Sequence, residues 1–122
     1  MDADTAPVFT PGDNFNTVLY TGNGSTQAIT GTGFEPDLIW IKSRSAAYSN
    51  RLFDSVRGAA KRIMSNSTDA EATAIDELTA FGSNGFTLSN GVGVNQSSST
   101  YVAWNWKAGG AAVSNTDGTI TR

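Results

Sequence analysis

Histidine and cysteine are both absent from this chain of 122 residues. Without histidine, the usual general base near neutral pH and the commonest metal ligand are missing. Without cysteine there is no disulfide, no thiolate zinc site and no cysteine nucleophile. Charge is also sparse, with 11 Asp and Glu against 8 Lys and Arg and a net charge of −3. An acidic domain is a poor match to nucleic acid. No apolar run approaches the ~20 residues that cross a bilayer, and the acidic N-terminus has neither the basic region nor the apolar core of a signal peptide. Membrane insertion is therefore not expected.

What remains is a chain of one-domain length, rich in Gly, Ser, Thr and Asn. Short β-type runs alternate with turn signals: Phe15–Thr21, Thr26–Thr30, Asp37–Arg44, Arg51–Ser55, Phe86–Leu88 and Thr100–Lys107. Asn and Gly tolerate positive φ, so Gly22-Asn23-Gly24 predicts a hairpin between the first two runs. In the third run Leu38, Trp40 and Lys42 share one face while Ile39 and Ile41 share the other. Gly58–Met64 fits either a helical stripe or a strand start. Thr68-Asp-Ala-Glu71 has capping-box spacing and predicts one short helix near Asp69–Leu78, whereas Asn90–Ser99 reads as a loop. Phe81-Gly-Ser-Asn-Gly85 reads as a turn, and Asn115-Thr-Asp-Gly118 as a further one before Thr119–Thr121. The pattern predicts an all-β fold, an antiparallel β-sandwich or jelly roll with at most one short helix. Residues 1–14, with Pro7 and Pro11, read as an extended arm ahead of a single domain over 15–122.

The phrases YTGNGSTQAITGTGFEPDLIWIKSR, LFDSVRGA, GFTLSNG, VNQSSSTYVAWNWKAGG and VSNTDGTI, in this order, resemble a β-rich domain of unknown activity. That domain recurs in tail-associated and other virion proteins of marine and cyanobacterial phages. The resemblance covers roughly Phe15 to Ile120 and implies a non-enzymatic virion structural protein, assembled in the host cytoplasm and located in the particle. Its expected place is a tail fibre or tail tip, as a homo-oligomer contacting other virion proteins and host surface glycan. Members of that family often continue past NTDGTI into further domains. A chain ending at Arg122 turns the expectation toward a compact block, and so toward the alternative of a capsid decoration (cement) protein clamping shell subunits. A glycan-degrading enzyme is the third reading. The family assigns no residue-level roles to carry over.

The residues themselves offer few chemical candidates. Asp76-Glu77 point to opposite faces if they lie on a strand, and Glu35 and Asp37 bracket Pro36 beside a turn. Neither makes the facing carboxylate pair that glycosidase chemistry needs. No calcium loop, phosphate loop or Ser-x-x-Lys occurs, so catalytic, cofactor and metal sites are not expected. Lys42, Arg44, Arg51, Arg57, Lys61 and Arg62 place six of the eight bases within one short segment. Together with Phe9 of the arm they form a candidate partner interface, against the alternative that they are solvated on both faces. Tyr48, Asn50, Asn95 and Gln96, in loops able to present hydroxyl and amide groups, are candidate glycan contacts. Trp104 and Trp106 share the Val102 face of the last strong strand and are expected to pack in the core. The alternative is that with Trp40 they form a stacking platform for sugar rings.

Overall fold

The computed structural model describes residues 11–108. A 3-10 turn at Pro11–Asp13 leads into β1 (Phe15–Thr21), β2 (Gln27–Thr30), β3 (Leu38–Ser43), β4 (Arg51–Asp54) and β5 (Lys61–Met64). There follow β6 (Ala72–Thr73), β7 (Leu78–Gly82), β8 (Gly85–Leu88), α1 (Val92–Asn95) and β9 (Thr100–Trp106). Six strands form one sheet in the order β1-β9-β3-β4-β5-β6, and three form a second in the order β2-β8-β7. Every pairing is antiparallel. The fold is an all-β sandwich, as the spacing of turns and strands predicts. The arm residues 1–10, Phe9 among them, and the turn at 115–118 lie outside the described residues.

The core sits between the sheets. Ile39, Ile41, Phe53, Tyr101 and Ala103 from the large sheet meet Ile29, Leu78, Phe86 and Leu88 from the small one, with Val94 of α1. Tyr20 of β1 stacks on Tyr101 with ring centroids 5.2 Å apart and meets Phe86 edge-on. The Tyr20 hydroxyl donates to the Val94 carbonyl at 2.7 Å. Burial, with the neighbouring Tyr101 in second place, holds the Tyr20 phenol well above its ordinary pKa. Burying an aromatic ring of this size contributes on the order of 2 kcal/mol or more, so this cluster helps to hold the sheets together.

Three local expectations fail. The Gly22-Asn23-Gly24 segment does not close a hairpin: β1 pairs with β9 and β2 with β8, so here the chain crosses from one sheet to the other. The segment is bonded instead to the loop before β9, through Gly22 N–H to Ser99 O, Ser98 N–H to Gly22 O and Gly24 N–H to Asn95 O. A Cβ on Gly22 would lie 2.1 Å from the Gln96 carbonyl oxygen, so that close approach requires glycine. The expected helix near Asp69–Leu78 is absent, and among the described residues a short α-helix lies instead at Val92–Asn95, where the composition suggested a loop. Competing partners explain the first of these differences. Ala72–Thr73 pair with β5, and Glu77 is drawn inward to two arginines. An isolated helix of ten residues is too short to resist such partners. The ambiguous Gly58–Met64 segment resolves as β5 over Lys61–Met64, while Phe81–Gly85 makes the tight β7–β8 turn that the sequence predicts.

Asn95 is the polar tie of this core. It is fully buried, and its Nδ2 reaches Ser25 O at 2.6 Å, Ser89 O at 2.7 Å and Asn23 Oδ1 at 3.2 Å, while its Oδ1 accepts from Asn23 N at 3.1 Å. Asn95→Ala strands those groups away from water, and such a deletion costs about 1–3 kcal/mol. Chemical denaturation should show a lower midpoint with an unchanged slope.

Candidate functional site: an aromatic groove on the outer sheet face

Strand alternation sorts β3 and β9 into two faces. Inward go Ile39, Ile41 and Ser43 of β3 and Tyr101, Ala103 and Asn105 of β9, all buried. Outward go Leu38, Trp40 and Lys42, and with them Val102, Trp104 and Trp106. The expected core packing of Trp104 and Trp106 is therefore wrong: both lie half-buried on the outer face. Asn105 takes the inward position instead, its Nδ2 donating to Asn16 O at 3.2 Å and Ala103 O at 3.1 Å.

Cross-strand register gathers the outward residues into rows. Phe15, Trp106, Leu38 and Asp54 stand side by side across β1, β9, β3 and β4. The next row is Thr17, Trp104, Trp40 and Leu52, continued by Ile63 on β5, and the one beyond it is Leu19, Val102 and Lys42. Trp40 and Trp104 meet edge-to-face at 5.6 Å, and Phe15 tilts onto Trp106 at 5.1 Å. Trp40, Trp104, Trp106, Lys42 and Asn50 line an open groove of about 440 Å³. The Trp40 indole N–H is covered and has no acceptor among the described residues. A second hollow of about 220 Å³ lies along β2, β8 and the β7–β8 turn, lined by residues such as Ala28, Gly82 and Asn84 and lacking any charged side chain.

The structure disperses the basic cluster. Arg51 is buried, its Nε donating to Glu77 Oε2 at 3.2 Å and its Nη1 to Ser49 O at 2.6 Å. Arg62 joins the same Glu77 oxygen at 2.9 Å. Arg57 is bound by Asp54 and, at 3.2 Å, by Glu71. Lys61 donates to the Thr73 hydroxyl. Lys42 and Arg44 remain exposed and have no acidic partner among the described residues; Lys42 bonds only the Ser43 carbonyl, at 3.3 Å. Lys42 follows Trp40 by two residues on β3 and lines the groove, and Arg44 lies one residue past the end of β3, where its N–H bonds Thr100 O.

The candidate glycan contacts divide in the same way. Asn50 lines the groove. Asn95 is locked inside the fold. Tyr48 donates to Gln96 Oε1 at 2.8 Å, and Gln96 also accepts from Ser99 Oγ at 3.0 Å, so this pair braces the loop ahead of β9. The signal that would have found the groove from sequence is the inward run Tyr101-x-Ala103-x-Asn105, in step with Ile39-x-Ile41: only one face of each strand can meet the small sheet. Among the described residues no three His, Cys, Asp or Glu side chains gather as a metal site, and no helix is long and apolar enough to cross a membrane.

A family profile described as Domain of unknown function (DUF7483) matches residues 10–122, and the chain belongs to that family. No curated protein and no solved structure matches it.

Two measurements check this geometry. Phe53→Ala removes a fully buried ring and should cost about 3–5 kcal/mol, while Trp104→Ala should lower the melting temperature distinctly less. Asp54 supplies the pH test. Burial acts to raise its pKa, but bonds from the Arg57 backbone and guanidinium, and that cation's charge, outweigh burial and leave it lowered. A depressed carboxylate contributes stability above its unfolded pKa of about 3.9 and loses it as pH falls through the lower folded value. Arg57→Ala should therefore flatten the loss of stability on acidification below about pH 4, read by thermal melts across pH.

Proposed function

We propose that this domain is a non-enzymatic structural module of a phage virion, displayed at the tail fibre or tail tip, whose outer sheet face contacts host surface glycan. The observation that carries the binding reading is the placement of Trp40, Trp104 and Trp106 together on an exposed sheet face, flanked by Lys42 and Asn50. A partly exposed indole offers a flat apolar surface to the C–H face of a pyranose, and neighbouring amide and ammonium groups can bond its hydroxyls. Rigid strands hold the rings in place, so little ordering cost falls on binding. The virion setting rests on the ordered sequence phrases that resemble virion domains.

Binding is favoured over glycan cleavage by the carboxylates near the groove. Asp54 is bound to Arg57, and Asp37 accepts the Ser55 hydroxyl at 2.9 Å and the Ala108 N–H at 2.8 Å. Neither is placed as the free acid of a facing pair. The decoration-protein reading draws on a different observation. Leu19 is 59% exposed and Phe15 38% exposed beside the groove, an apolar border suited to a neighbouring subunit.

Arrays of microbial surface polysaccharides, probed with the chain and with Trp104→Ala and Trp106→Ala, test the proposal. The parent should be retained on a subset of glycans without releasing reducing ends. Each variant should lose about tenfold or more in affinity, on the scale of ~1–3 kcal/mol for one lost stacking contact, while still melting cooperatively. Release of sugar by the parent would establish the enzyme reading, and retention equal to the parent by both variants would remove the groove from the binding surface.

A further inference from the structure

The groove has a direction. Its aromatic end is built from Trp104 and Trp106 of β9 and Trp40 of β3. Along β3, Lys42 stands about 7 Å from Trp40, at the ordinary spacing of alternate strand residues, and Arg44 follows just past the strand's end at Ser43, where its N–H bonds Thr100 O. The outward column of this strand line thus changes from apolar to cationic within a few residues. Of the other bases of the segment, Arg51 and Arg62 pair with Glu77 and Arg57 with Asp54 and Glu71, while Lys61 donates to the neutral Thr73 hydroxyl. Lys42 and Arg44 face no carboxylate among the described residues, although acids outnumber bases in the chain. Unneutralised cations beside an aromatic face favour a ligand that brings its own negative charge.

We infer that the groove takes an acidic saccharide, with a pyranose ring on the tryptophans and a carboxylate or sulfate group bonded by Lys42 and Arg44. This rests on the glycan-binding reading above and narrows its ligand class. A sugar acid meets both halves of the site, whereas a neutral sugar leaves the two cations unused. Asn50, the residue before β4, lines the groove with Lys42 and can take the hydroxyls between the ring and the charge.

Isothermal titration at low salt, using polygalacturonate, dextran sulfate and neutral dextran as probes, tests the inference. At least one polyanion should bind about tenfold or more tightly than dextran, and polygalacturonate against dextran sulfate distinguishes carboxylate from sulfate. Lys42→Ala and Arg44→Ala should each weaken that binding by about tenfold, while Lys107→Ala, a base outside the groove, should leave it unchanged. Trp104→Ala should weaken it as well, since the ring must stack for the charge to be placed. Salt at about 0.5 M should reduce the polyanion's advantage. Dextran binding as tight as either polyanion, with Lys42→Ala and Arg44→Ala silent, would overturn the acidic ligand while leaving the tryptophan platform standing. Polyanion binding that ignores Trp104 would be simple ion exchange and would overturn the inference. Binding of none of the three would overturn the inference and remove support from the platform as well.

Discussion

Everything in this molecule follows from the period of two in its central strands. β9 lies between β1 and β3, and each residue it sends toward the small sheet commits its neighbours to the opposite side. Tyr101 and Ala103 go inward to meet Ile39, Ile41 and the strands of the second sheet. Trp104 and Trp106 must then go outward, and the β3–β9 register sets Trp104 beside Trp40. A one-residue slip of β9 would exchange its two sets, bringing a valine and two indoles into a space now filled by a tyrosine, an alanine and an asparagine. The groove is in this sense a by-product of the core: what fixes the interior also fixes which residues are displayed.

The interior is more polar than its hydrophobic content requires. Asn95 bonds three backbone carbonyl or side-chain oxygens, and Asn105 spans from β9 to the Asn16 carbonyl of β1. Glu77 is shared by Arg51 and Arg62, while the Arg51 guanidinium lies so close to Gly93 that a Cβ there would meet Nη2 at 2.3 Å. Such groups add little net free energy, but each tolerates only one arrangement of its neighbours. Asn95 ties together the β1–β2 crossing, the segment after β8 and α1, the parts of the chain with the least regular pairing. Their geometry is set by hydrogen bonds where strand ladders do not reach.

Much of the fold was legible in the sequence because it depended on local pattern. Alternation predicted β3 and β9, and Phe81-Gly-Ser-Asn-Gly85 announced the β7–β8 turn. The failures share one cause, which is that non-local partners decided between local options. Gly22-Asn23-Gly24 has the chemistry of a hairpin, yet Ser99 and Asn95 bond it instead. Residues 69–78 have helix-forming composition, yet β5, Arg51 and Arg62 claim them. The candidate site suffered in the same way. Alternation showed that Trp104 and Trp106 share a face, and hydrophobicity argued that this face was the inner one. That inference assumes that apolar residues are buried and polar ones are not, and Asn105 breaks it from the polar side. Likewise, six clustered bases suggested a cationic surface, but Glu71 and Glu77, far away in sequence, join the nearby Asp54 in neutralising Arg51, Arg57 and Arg62.

Once those pairings are removed, the electrostatics of the chain become simple. Arg51, Arg57 and Arg62 of the basic segment are neutralised by Asp54, Glu71 and Glu77. Lys42 and Arg44, like Lys61, have no carboxylate partner among the described residues, and strand alternation puts Lys42 on the face that carries the tryptophans. Exposed ion pairs contribute little to stability, so leaving these two unpaired costs the fold little. Leaving large apolar rings half in water has a real cost, because each gives up part of the ~25 cal/mol per Å² that burial would contribute. A core with Trp104 and Trp106 inside would recover that energy. The sheet buries a tyrosine, an alanine and an asparagine there instead and keeps the indoles beside Lys42, an arrangement that burial energy alone does not favour.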